Sequence, residues 1–90
     1  MDTREIWDLT DKIIKGALIV HSELGPGLLE SAYEKCLARV LSDSRLAVRR
    51  QVEVPFKFRG EVVDCGFRMD MLVEETVIIE LKSVETVTPL

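Results

Sequence analysis

Cysteine is scarce: Cys36 and Cys65 stand alone, in no C-x-x-C arrangement. A disulfide framework is therefore not expected, and two reduced, buried thiols in a cytoplasmic protein are the reading that remains. Long apolar runs are missing too. None approaches the ~20 residues a membrane span requires, so no membrane association is expected. The first residues carry Asp2, Arg4, Glu5 and Asp8 rather than a basic stretch followed by an apolar one, which argues against a secretory signal. Positive charge is not in excess: 12 Lys and Arg face 16 Asp and Glu, for a net charge of −4. That excludes coating of nucleic acid through bulk charge while leaving room for a local basic patch. Linkers, internal repeats and low-complexity stretches are absent as well. What is there is ordinary globular material, 31% charged and 47% hydrophobic, so general disorder is excluded. Ninety residues make one domain, 1–90, with a thin core.

Asp2 with Glu5 three residues later reads as a capping box opening a helix over about 3–24. Ile6, Leu9, Ile13, Ala17, Val20 and Leu24 recur at helical spacing, joined by Ile14 and Leu18, and predict one broad buried stripe. Gly25 suits the C-terminal cap, and Pro26 follows where a helix does not easily continue. His21 reads as a surface or capping residue. A second helix is expected over about 28–42, with Leu29, Ala32, Tyr33, Cys36, Leu37, Val40 and Leu41 on its apolar side. Glu30 falls in its first turn, where the helix dipole favours a carboxylate. Tyr33 reads as a core aromatic whose hydroxyl finds a nearby partner.

From Leu46 the apolar period changes from 3.6 to 2. Val48, Arg50, Val52, Val54, Phe56 and Phe58 share one face of a strand over about 47–58, and Arg49, Gln51, Glu53, Pro55, Lys57 and Arg59 share the other. Pro55 marks an edge or a bulge in it. A second strand is expected over about 61–67, with a bend at Gly66. Two more, over about 68–74 and 77–83, read as a hairpin whose loop is Glu74-Glu75-Thr76. The last of these is apolar at nearly every position from Val77 to Leu81, as a central strand is. The fold class is thus α+β, with two helices packed on an antiparallel meander.

If Val73 faces Val77, the hairpin register sets Asp70 opposite Glu80 and Arg68 opposite Lys82, all four on one face. Such charges are costly to bury without a purpose. Hard divalent ions, Mg2+ or Mn2+, take oxygen ligands such as Asp70 and Glu80, with Glu30 as a further carboxylate. Such an ion polarises a phosphate and acidifies a bound water. Lys82 would orient that water and stabilise developing charge, and Arg68 would balance the site or contact phosphate. The competing reading is a cross-strand ion-pair ladder, Arg68 and Asp70 against Glu80 and Lys82.

The residues Gly27-x-x-Glu30-x-x-Tyr33, then Phe67-Arg68-Met69-Asp70 and Val77-Ile78-Ile79-Glu80-Leu81-Lys82, strongly resemble the GxxExxY family of the PD-(D/E)xK nuclease-like superfamily. The resemblance implies a restriction-endonuclease-like αβββαβ core. It implies Glu30 as the helical acidic residue, Asp70 as the metal-binding aspartate and Glu80 with Lys82 as the E-x-K pair. Such proteins usually continue into a further helix and a last strand, so a chain ending at Leu90 is expected to be a truncated core lacking both. Gln51 lies on a strand such proteins use near the site, but receives no role.

The leading expectation is a Mg2+-dependent nuclease acting on DNA or RNA, with catalytic residues Asp70, Glu80 and Lys82. Its metal ligands would be Asp70, Glu80 and Glu30, and its basic footprint Arg49, Lys57, Arg59 and Arg68. The alternative from another class is a non-catalytic nucleic-acid-binding or assembly module of the same fold. A homo-oligomer is expected through the open sheet or the apolar face left by the short C-terminus.

Overall fold

The Asp2 side chain accepts a 2.8 Å hydrogen bond from the Glu5 N–H and opens the first helix, α1, Thr3–Leu24. The computed structural model describes residues 1–64 and 66–82. Helix α1 ends where expected: Gly25 takes φ 72° and returns its N–H to the His21 carbonyl at 2.9 Å. Helix α2 spans Glu30–Asp43 and starts two residues later than the apolar pattern predicts. Leu29 is extended, at ψ 143°, and helical bonding begins with the Tyr33 N–H to the Leu29 carbonyl. Glu30 is therefore the first helical residue. No helix among the described residues is long and apolar enough to cross a membrane.

Five strands follow: β1 Val48–Glu53, β2 Phe56–Phe58, β3 Glu61–Val63, β4 Arg68–Val73 and β5 Val77–Ile79. The single strand expected over 47–58 is broken at Val54-Pro55. Pro55 has no N–H for a ladder, and the Val54 N–H turns to the Phe67 carbonyl instead, at 3.0 Å. The consequence is two antiparallel sheets. One is three-stranded in the order β1-β4-β5, and the other is the β2–β3 hairpin. The strand expected over 61–67 shrinks to β3, after which Asp64 Oδ1 accepts from the Gly66 N–H and Gly66 makes the expected bend at φ 71°. Cys65 lies outside the described residues.

The hairpin register follows the expectation as far as it runs, with Val73 opposite Val77, Leu72 opposite Ile78 and Met71 opposite Ile79. The turn has Glu74 and Glu75 both at positive φ, with the Thr76 N–H returned to the Val73 carbonyl at 3.0 Å. Such primed-turn geometry suits the right-handed twist of the flanking strands. Two corrections apply. Strand β5 stops at Ile79, so Asp70–Glu80 and Arg68–Lys82 are not ladder pairs, and Ser83 lies outside the described residues. Among the described residues the central strand is β4; β5 is an edge and leaves Ile78 56% exposed.

The core joins Leu9, Ile13 and Val20 of α1 to Leu37 and Leu41 of α2 and to Met71 and Val73 of β4. Burying each such side chain stabilises the fold by about 1.5–3 kcal/mol. Tyr33 packs against this cluster and donates its hydroxyl to the Ala17 carbonyl at 3.0 Å, tying α2 to α1. The buried seam of α1 is narrower than its apolar stripe. Ile14 and Leu18 are 53% and 63% exposed, and Trp7 is 68% exposed. Among the described residues one partner helix covers one side of α1, however broad the apolar pattern around it.

Candidate active site

Glu30 and Glu34 lie one helical turn apart on α2 and therefore face the same way. Both line a small pocket of about 170 Å³ with Gln51 of β1, Asp70 of β4 and Leu81. A larger open groove of about 1220 Å³ adjoins it, lined by His21, Glu30, Glu80 and Lys82 among others. Glu30 and Leu81 line both, so the two spaces meet along those residues. Asp70 thus lies on one side of the junction and Glu80 with Lys82 on the other. His21, expected as a surface residue, opens onto the groove of the E-x-K residues.

One bond connects the two sides: Asp70 Oδ2 accepts from the Leu81 N–H at 2.8 Å. The side chain of β4 continues beyond the end of the ladder what the backbone did within it, and so holds Glu80-Leu81-Lys82 beside the sheet. Among the described residues, Asp70 and Glu80 make no ion pair with Arg68 or Lys82, which removes the charge ladder as an account of their spacing. No three acidic, histidine or cysteine side chains among the described residues converge closely enough to hold a metal ion. The donor chemistry suits a hard cation, and Asp70 keeps Oδ1 clear of the Leu81 bond, but the carboxylates surround the space without closing on it.

The basic residues are dispersed. Arg49 is paired with Glu75 at 3.0 Å beside the hairpin turn. Arg59 sits over the Phe58 ring, 5.4 Å from its centre, and Lys57 lies on β2. Arg68 begins β4 opposite Glu53. None of the four lines either cavity.

Sequence reasoning overlooked Glu34 and Arg50. Glu34 is only 4% exposed, and its carboxylate is fully engaged. Oε2 accepts from Arg50 Nη2 at 2.8 Å and Nε at 3.2 Å, and Oε1 accepts from Gln51 Nε2 at 2.7 Å. A buried carboxylate needs such partners, since desolvation otherwise costs more than burial returns. Adjacent strand residues ordinarily point to opposite faces, so Arg50 and Gln51 were expected apart. Gln51 takes φ 53°, which breaks the alternation and lets both reach Glu34. The available signal was Glu34 itself, a charge at helical spacing from Leu37 and Leu41 on the apolar side of α2.

The chain belongs to the PD-(D/E)XK nuclease superfamily, whose family model matches residues 7–90. The two helices and antiparallel sheet are consistent with that fold. No curated protein and no solved structure matches the chain.

Proposed function

We propose that this chain is a divalent-metal-dependent nuclease of the GxxExxY type that hydrolyses phosphodiester bonds of DNA or RNA. The observation that carries the reading is the Asp70–Leu81 hydrogen bond at the junction of the two cavities. It couples the strand of Asp70 to the segment of Glu80 and Lys82, whose spacing the E-x-K chemistry needs. Asp70, Glu80 and Glu30 are the residues that would hold Mg2+ or Mn2+. Such an ion, when bound, would supply charge stabilisation and a water of lowered pKa. Lys82 Nζ stabilises the charge that develops on the phosphoryl oxygens and orients the attacking water. Glu30, at the head of α2, closes the junction from the helix side. Arg49, Lys57, Arg59 and Arg68 remain proposed backbone contacts, with Arg49 first leaving Glu75.

Titration calorimetry with Mn2+ and a cleavage assay on labelled DNA and RNA test this reading. The expected result is metal binding that Asp70→Asn abolishes and cleavage that Lys82→Ala abolishes. Absence of metal binding, or cleavage that persists in both variants, would falsify it. One second reading, favoured by the lack of a converged three-ligand cluster among the described residues, is a nucleic-acid-binding module without turnover. That module would associate with DNA in a salt-dependent way indifferent to metal. A cytoplasmic homo-oligomer is proposed under either reading. Among the described residues β5 is an edge and Ile78 is exposed, which supports the assembly, and sedimentation at several concentrations tests it.

A further inference from the structure

Gln51 is the one residue in the middle of β1 that a strand does not explain. Its φ of 53° is a conformation L side chains rarely adopt, and neither glycine nor asparagine occupies the position. The β1–β4 ladder pairs Arg50 with Met71 and Val52 with Met69, and omits the pair between them, Gln51 with Asp70. Backbone strain of this kind persists where surrounding contacts impose it, and it concentrates at functional sites. Here the contact is Glu34, buried and held by Arg50, which draws the Gln51 amide into the pocket that Asp70 and Glu30 also line.

The hydrogen-bond inventory fixes the orientation. A carboxylate only accepts, so the group 2.7 Å from Glu34 Oε1 is the amide nitrogen, which carries two hydrogens. One is given to Glu34, and no second bond of the Gln51 side chain occurs among the described residues. We propose that Gln51 positions the scissile phosphodiester, offering its remaining N–H to a phosphate oxygen in the pocket beside Asp70. A neutral donor is the suitable one at that place. A lysine or arginine there would pair with Asp70, whereas an amide binds the anion and leaves the carboxylate its charge. Arg50 cannot serve, because it neutralises Glu34. The inference rests on the nuclease reading above and adds the residue that holds its substrate.

Two variants of the full chain separate this role from a merely structural one. Glycine fits a positive φ better than alanine, so Gln51→Gly should melt above Gln51→Ala. Both lose the amide. With a fluorescein-labelled oligonucleotide, both should raise KM on the order of ten- to a hundredfold, with kcat changed less. In the Lys82→Ala background both should weaken anisotropy-measured binding by the same factor. If Gln51→Gly binds and cleaves like the unaltered chain, Gln51 only bends the strand and the proposal is wrong, while the nuclease reading stands. If the unaltered chain never cleaves but binds, and both variants bind less well, the nuclease reading fails and the phosphate contact holds. An unaltered chain that neither binds nor cleaves overturns both.

Discussion

Asp70 Oδ2 and the Leu81 N–H, eleven residues apart in sequence, are joined by a 2.8 Å hydrogen bond just beyond the end of the β4–β5 ladder. A charged acceptor meeting a backbone donor is stronger than a neutral pair, so this bond orders the segment that carries Glu80 and Lys82. The bond gives Asp70 a structural role through Oδ2, separable from the metal-binding role proposed for its charge.

Substitution separates those roles. Asp70→Asn keeps an oxygen that can accept from Leu81, and should cost under about 1 kcal/mol of stability. Asp70→Ala leaves the Leu81 N–H without its acceptor and should cost about 1.5–3 kcal/mol. Both remove the carboxylate charge, so both should abolish metal binding. Urea denaturation beside calorimetry checks this, and equal destabilisation by the two variants would show that the bond does not order the segment.

The pair of buried Glu34 with part-exposed Arg50 makes a second, opposite kind of prediction. Arg50→Met strands a carboxylate that is 4% exposed, and should cost about 3–5 kcal/mol. Adding Glu34→Leu removes the stranded charge and should recover most of that loss, because an apolar pair of similar volume avoids the desolvation penalty. A double-mutant cycle in urea measures the coupling. If the single variant costs no more than a surface pair, about 0–1 kcal/mol, Glu34 reaches water and the network is incidental.

These two sites mark what the chain discloses and what it conceals. The β4–β5 register was legible because Met69–Val73 and Val77–Leu81 are apolar runs separated by only three polar residues. Tyr33 was legible as an inward aromatic with a bonded hydroxyl, since its place on the α2 stripe fixed its direction. Pro55 announced a disturbance, but not that the chain would leave one sheet and start another. The Glu34 network was hidden because its geometry depends on a positive φ at Gln51, which no local residue preference announces. The exposed half of the α1 stripe was misjudged for another reason. Periodicity counts apolar residues, whereas burial depends on how many elements arrive to cover them.

Tyr33 offers a test of how far the helix pair depends on polar contact. Its hydroxyl donates to the Ala17 carbonyl, an atom already inside α1. Tyr33→Phe should keep the packing of the ring and cost about 0.5–1.5 kcal/mol. A thermal melt resolves that as a shift of roughly 4–8 °C per kcal/mol for a domain of this size. No shift would mean the carbonyl is equally served by its own helical bond, and that the ring alone joins the helices.

Gly16 decides how closely α1 and α2 approach. It is buried, and a Cβ built there would lie 2.8 Å from Leu41 Cδ2, 3.5 Å from Val40 Cγ1 and 3.7 Å from Leu37 Cδ1. Helix propensity alone favours replacing this glycine, by about 1 kcal/mol for alanine. Packing opposes it, because Leu41 is fully buried and has little room to turn its methyl aside. For alanine the two effects nearly cancel. Valine adds two further methyl groups to the same seam and gains less from propensity, so steric cost should prevail. Gly16→Val is therefore expected to lower stability by about 2–3 kcal/mol in urea denaturation. Glu30 sits on the helix this would displace, so metal affinity should weaken in parallel. A valine variant as stable as the parent would show that the helices part without cost, and that α2 is not fixed by the Gly16 seam.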